Sequence, residues 1–356
     1  MKLIVEASQA MSQERSTILL SSSTNTQEAG SQYVIGADIG GTSLRLALAD
    51  RTGTILGRWS ASTTGTVDAT MILHLMREGI DALLREASLR PESLSAIAAG
   101  APGVTNVDEG IVIATSYLMG WRDVPLRQMI EDEFGVPAFV DNDVNLAAIG
   151  ELRAGLAQGA SDFVFLAIGT GIGAGIVLNG EVYYGSFWTA GEIGYMLVPG
   201  TSSALVERGK PGALESIVGG EGVKAQWQSR WSKDATTLPK DAVATDIFDH
   251  ALKSNPLAQE VLRLAARTLA YAIYNTSLIL NAPLFVLGGS VGIHPALGDA
   301  TRLVLEEQGA RVQPRLIRSA LEADAQLIGA IFMALQTASR KAACAQTNPP
   351  RVQSTL

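Results

Sequence analysis

The chain has 356 residues, 47% of them hydrophobic and 17% charged; that is a folded globular composition, too long for one comfortable core, so two domains are expected. The net charge is −8, and no run of Lys or Arg exceeds two residues, which excludes the basic stripe of a nucleic-acid binder. The single cysteine, Cys344, excludes an internal disulfide and a cysteine-held metal cluster, and no apolar run reaches the ~20 residues of a membrane helix.

Residues 1–32 are rich in Ser, Thr, Gln and Glu and read as a mobile extension. They hold no apolar run near the ~7 residues of a signal-peptide core, so the expected location is the cytoplasm. Strands are predicted at 33–38, 44–49 and 54–59. A helix follows at 69–87, where Ile72, Met76, Ile80, Leu83 and Leu84 share one face. A strand returns at 94–99. Asp123 and Pro125 open a helix that Gly135 ends; 136–140 is a strand and 144–152 a helix.

The pattern then restarts. Strands at 163–168 and 174–178 flank a glycine-rich turn, and Asn179-Gly180 signals a tight hairpin into 181–184. A long helix spans 257–280. Beyond it come a buried strand at 284–287, a helix at 295–308, a strand at 313–318 and a last helix at 321–339. Residues 341–356 read as a second tail. His74, His250 and His294 are scattered and read as surface or helix-cap residues.

The first meander turns at Gly40-Gly41-Thr42 and the second at Gly169-Thr170-Gly171. They lie about 130 residues apart, far beyond the ~20–50-residue period of a solenoid, so two related α/β domains facing each other are expected. The domains are set at 33–142, completed by the helix at 321–340, and at 143–320.

Asp38-Ile39-Gly40-Gly41-Thr42 sits where a buried strand turns sharply. Glycines let an anion approach the peptide N–H groups, and Thr42 adds a hydroxyl. Asp38 is placed to hold Mg²⁺ through water, and Arg45 offers positive charge to the same region. An ordinary hairpin beside an Asp is the plainer alternative. Gly169-Thr170-Gly171-Ile172-Gly173 is the counterpart; it is not a P-loop, because no Gly-Lys-Ser/Thr follows. Asn142-Asp143 ends a strand and starts a helix. Both residue types cap helices, and a carboxylate there also suits a general base. Glu192 and Glu215 each stand among glycines and apolar residues. Gly288-Gly289 closes a buried strand, as a plain turn or as a side-chain-free surface for a flat ring.

In this order the pieces resemble the ROK family of bacterial sugar kinases and sugar-responsive repressors. The likeness runs over residues 34–338. It rests on Asp38 to Thr42, Ala101-Pro102-Gly103-Val104, Leu118-Met119-Gly120-Trp121, Asn142-Asp143 with Glu151, Gly169 to Gly173, Glu192 to Tyr195, Leu214-Glu215 and Gly288-Gly289. The resemblance implies the two-domain actin-like ATPase fold (ribonuclease H-like), with a sugar in an interdomain cleft. It implies Asp143 as the base, and Gly103, Asn142, Glu192 and Glu215 on sugar hydroxyls. ATP and Mg²⁺ fall to Asp38, Gly40, Gly41, Thr42, Thr170, Gly171, Gly288 and Gly289. It implies a homodimer or homotetramer.

Two departures stand out. Tyr195 occupies the place of a His that helps bind a structural zinc in many members, and no cysteine precedes Glu215. No zinc site is expected, so no metal fixes the loop that carries Glu192 and Glu215. Ser43 stands where many members have Lys, and Arg45, two residues on, faces the same side of a strand.

The expected reaction is phosphoryl transfer from ATP to a hexose, at the 6-hydroxyl of glucose. The rivals are a sugar-responsive repressor, a sugar sensor without turnover, a kinase for another hexose or an N-acetylated hexosamine, and polyphosphate as donor. Only 37 residues precede Asp38, too few for the DNA-binding domain of a family repressor.

Overall fold

The computed structural model describes residues 33–65, 68–115, 118, 120–202, 210–233, 236–309 and 312–347. The expected extension at 1–32 lies outside them, as do residues 348–356 of the expected tail. The described residues divide into two compact units. One runs to Asp143 and resumes at Leu327; the other is Val144–Gln326. The sequence reading sets the breaks at 142/143 and 320/321, one and six residues earlier than these.

In the first unit, β1 (Tyr33–Ile39) is buried along nearly its whole length, as a strand covered on both faces must be. It pairs antiparallel with β2 (Ser43–Asp50), which pairs with β3 (Ile55–Ser62). β3 alternates between half-buried and exposed positions, which suits the sheet's edge. The side chain of Asp68 accepts the Met71 N–H at 3.0 Å and starts α1 (Ala69–Glu86), whose stripe of Ile72, Met76, Ile80 and Leu83 is buried. β4 (Leu94–Ala101) returns parallel to β1.

A small antiparallel sheet follows, of β5 (Val104–Asn106), β6 (Ile111–Ala114) and β7 (Arg122–Val124). The sequence reading has no strands there and opens a helix at Asp123. That residue belongs to β7, and α2 (Leu126–Phe134) starts after Pro125. Gly135 ends α2 in the left-handed region, φ 68°, as expected. β8 (Ala138–Asn142) pairs parallel with β4 and leads into α3 (Asp143–Ala154). The sheet order is β3-β2-β1-β4-β8.

The second unit repeats that order as β11-β10-β9-β12-β13. β9 (Phe163–Ile168), β10 (Ile172–Leu178) and β11 (Glu181–Val182) form the meander. Asn179 and Gly180 take φ of 54° and 79° between the last two, the backbone an Asn-Gly hairpin requires. Helices α4 (Glu215–Val218), α5 (Gly220–Arg230), α6 (Ala244–Leu252) and α7 (Pro256–Leu280) come next. Then follow β12 (Leu284–Gly288), α8 (Gly289–Gly292), α9 (Pro295–Glu307) and β13 (Arg315–Arg318). β12 runs parallel to both β9 and β13. His294 caps α9, as a helix-cap histidine would.

The last helix, α10 (Ala325–Thr347), extends past 341, where the sequence reading starts a tail. Residues 341–346 are three Ala with Lys, Cys and Gln, and no proline follows within the helix before Pro349, so nothing stops the helix earlier. Among the described residues no helix is long and apolar enough to cross a membrane.

Candidate active site

In the first unit the parallel register does the assembling. Asp38 on β1 stands opposite Gly100 on β4, and Gly100 opposite Asp141 on β8. With strands ~4.8 Å apart, the turn after β1 and the residues after β8 emerge roughly 10 Å from each other at one sheet end. That is the carboxyl end of parallel strands, where ligands collect in open α/β sheets.

Gly40 N–H donates to the Ser43 carbonyl at 2.8 Å and closes the turn, leaving Gly40 and Gly41 half-buried and Thr42 exposed. Arg45 is the cross-strand partner of Asp38 and its guanidinium is bonded to the Asp38 carboxylate, with Nε at 2.7 Å. The charge expected to face the phosphate region is therefore engaged with Asp38, whose side chain is only 11% exposed.

Among the described residues no three His, Cys, Asp or Glu side chains come together as metal ligands. A Mg²⁺ ion held by phosphate oxygens, water and one carboxylate needs no such cluster, so Asp38 beside the glycine turn fits it.

Asn142 Nδ2 donates to the Gly103 carbonyl at 2.8 Å, which joins two residues 39 positions apart. Gly103 needs to be glycine: its φ is +100°, and a Cβ there would overlap the Ala114 carbonyl. Asp143 is the first residue of α3, half-buried beside Asn142. Glu151 is fully buried, and its carboxylate accepts the Ser319 hydroxyl and, at 3.0 Å, the Leu156 N–H. It is a structural joint between α3 and the end of β13.

In the second unit the Gly169-Thr170-Gly171 turn lies between β9 and β10, and Gly288-Gly289 ends the neighbouring β12. A Cβ on Gly289 would overlap the Ile168 backbone, so the two glycine turns touch. Glu215 opens α4, and its Oε2 accepts the Ile172 N–H, immediately after the turn, at 3.1 Å.

Glu192 keeps solvent-accessible surface, yet the protein crowded around it raises its pKa by desolvation, and the Glu215 charge raises it further. The Tyr195 hydroxyl is pushed up by desolvation first, then by Glu192 and Glu215. These three residues lie close together beside the start of β10.

Backbone packing holds this loop. Ala174 N–H donates to the Gly191 carbonyl at 2.9 Å, Gly194 sits where a Cβ would come 3.0 Å from the Ile172 carbonyl, and a Cβ on Gly212 would overlap the Gly194 carbonyl. Residues 203–209, part of the stretch where a cysteine cluster would stand, lie outside the described residues.

The sequence-predicted residues thus fall into two clusters. Asp38, Gly40, Gly41, Thr42, Arg45, Gly103, Asn142 and Asp143 belong to the first unit. Thr170, Gly171, Glu192, Glu215, Gly288 and Gly289 belong to the second. Sequence reasoning overlooked Thr63, which is bonded to the first turn.

The chain matches the ROK family over residues 34–337. It is 33% identical over 267 residues to a glucokinase of Halalkalibacterium halodurans, covering 73% of this chain and 81% of that protein. It is 28% identical over 300 residues to an N-acetylmannosamine kinase of Escherichia coli, covering 84% and 97%. A ROK family glucokinase from Streptomyces griseus, solved with glucose and AMPPNP, superposes with a TM-score of 0.72 at 25% identity, over 85% of this chain and 99% of that one. The fold is the actin-like two-domain ATPase fold, and the chain belongs to the ROK family.

Proposed function

We propose that the chain is an ATP-dependent sugar kinase that moves the γ-phosphoryl group of ATP to the 6-hydroxyl of glucose, with Asp143 as general base. The observation that carries this reading is the level register of Asp38, Gly100 and Asp141, which brings a glycine turn and a carboxylate at a helix start to one sheet end. The identity with a glucokinase supports the choice of glucose.

In this reading Asp143 accepts the proton of the attacking hydroxyl. Asn142, held by Gly103, orients the sugar, and Gly103 contributes its backbone. Glu192 and Glu215 take further sugar hydroxyls. Burial first and the Glu215 charge second raise the Glu192 pKa. Gly40, Gly41, Thr42, Thr170 and Gly171 offer N–H and hydroxyl donors to the phosphates. Gly288 and Gly289 give adenine a surface without side chains. Asp38, oriented by Arg45, would hold Mg²⁺ through water; when bound, the ion neutralises phosphate charge. Phosphoryl transfer asks little covalent chemistry of a protein, so positioning and electrostatics supply most of the acceleration. The same proposal takes the enzyme as cytoplasmic and as a homodimer or homotetramer, without nucleic acid or membrane as partner.

The test is Asp143→Asn. Loss of a general base lowers kcat by typically ~10²–10⁴-fold, while hexose affinity by calorimetry stays near wild type. An Asn variant that keeps most of the wild-type kcat removes Asp143 from the mechanism.

A further inference from the structure

A turn that presents N–H groups to phosphate must have its carbonyls bound elsewhere, because buried backbone acceptors need partners. In the first unit one residue serves both ends of the turn. Thr63, directly after β3 and 2% exposed, donates its hydroxyl to the Gly40 carbonyl at 2.7 Å and its backbone N–H to the Thr42 carbonyl at 3.1 Å. The first bond bears on the peptide joining Gly40 to Gly41. In a trans peptide the N–H points opposite to the C=O. Drawing the Gly40 carbonyl toward Thr63 therefore turns the Gly41 N–H away from it. Glycines set no side-chain constraint on that peptide plane, so without the hydroxyl it is loosely defined.

We propose that Thr63 is a positioning residue for the phosphate turn: its hydroxyl fixes the Gly40–Gly41 peptide with the N–H toward the nucleotide. The proposal deepens the kinase reading and rests on it. Thr63 is 2% exposed, so it acts through the turn. Its backbone bond to Thr42 survives any substitution but proline, so the side-chain contribution can be isolated.

The experiment compares wild type with Thr63→Val, which keeps the shape and loses the hydroxyl, and with Thr63→Ser, which restores it. Thr63→Ala serves if the valine variant does not fold. AMPPNP affinity is measured by calorimetry, and KM for ATP and for glucose by steady-state kinetics. A half-buried carbonyl left without its partner, on a peptide no longer held, is expected to weaken AMPPNP binding and raise KM for ATP about ten-fold. KM for glucose stays within about two-fold, and Thr63→Ser recovers the nucleotide affinity. Wild-type AMPPNP affinity in the valine or alanine variant overturns the proposal. So does an equal rise in both KM values that serine does not rescue, since that marks a general packing defect. A wild-type chain that binds AMPPNP but transfers no phosphate defeats the kinase reading alone, and one that binds no nucleotide defeats both.

Discussion

Two Gly-Thr turns open the two sheets, and they are held in opposite ways. After β1 the turn carbonyls go to the hydroxyl and N–H of Thr63, with the Ser62 hydroxyl also on the Thr42 carbonyl at 3.4 Å. After β9 they go to a helix start: Gly220 N–H donates to the Gly169 carbonyl at 2.8 Å, and Glu221 N–H to the Thr170 carbonyl at 3.2 Å. The first N–H groups of a helix lack intrahelical partners, so α5 and the second turn satisfy one another. Glu215 adds a side-chain clasp at Ile172. The first turn thus depends on side-chain hydroxyls, with Thr63 alone reaching Gly40; the second depends on backbones that approach too closely for side chains between them.

Breaking the second turn's side-chain clasp should give the largest effect. Glu215→Ala removes the acceptor for Ile172 N–H and a proposed sugar contact together. A hydroxyl or N–H left unpaired costs ~1–3 kcal/mol, so KM for the hexose should rise roughly ten- to a hundred-fold. Glu215→Gln sharpens the comparison, because the amide oxygen can still accept from Ile172. If it raises hexose KM alone, the carboxylate serves the sugar; if Glu215→Ala leaves hexose KM unchanged, the sugar assignment fails.

A smaller effect is expected from the backbone contact. A Cβ on Gly220 would lie 2.8 Å from the Gly169 carbonyl. Overpacking of that kind costs ~1–3 kcal/mol, and Gly220→Ala should lower Tm by about 2–10 °C. Gly169→Ala is the control, since its Cβ would meet nothing within 4 Å. It should leave Tm unchanged or slightly raised. Equal losses in both variants would contradict backbone packing as what holds this turn.

The smallest effect is a pH dependence. A carboxyl whose pKa is raised on folding contributes stability below the ordinary carboxylate range, and that contribution is lost as pH climbs through the raised value. Burial first and Glu215 second raise Glu192 in this way. Glu192→Gln should therefore gain Tm relative to wild type as pH goes from 4 to 8, on the order of 1 °C, because contact with water screens the effect. A difference that shrinks with rising pH would reverse the sign.

Much of this arrangement was legible in the residues. Apolar runs around Gly40-Gly41-Thr42 and Gly169-Thr170-Gly171 gave both meanders, and Asn179-Gly180 gave the hairpin, because those signals are local. The β5–β7 sheet escaped notice because its strands are three or four residues long, too short for a period to show. Arg45 was seen near the first turn, but its bond to Asp38 follows from antiparallel register, which no single strand reveals. Thr63 escaped because a threonine within Ser62-Thr63-Thr64 after an edge strand looks like any loop residue. The clasp of Glu215 on Ile172 joins residues 43 positions apart and depends on tertiary packing.

The most direct test of the kinase reading is phosphoryl transfer by the wild-type protein. ATP and Mg²⁺ are supplied with glucose, mannose, fructose, N-acetylglucosamine or N-acetylmannosamine in turn, and binding of each sugar is followed by calorimetry. The expected result is sugar phosphate formed from ATP, with the highest kcat/KM for glucose. Highest kcat/KM for another of these sugars would correct the substrate and keep the chemistry. A protein that binds a sugar by calorimetry yet phosphorylates none of the five would contradict the kinase reading and make the chain a sugar sensor.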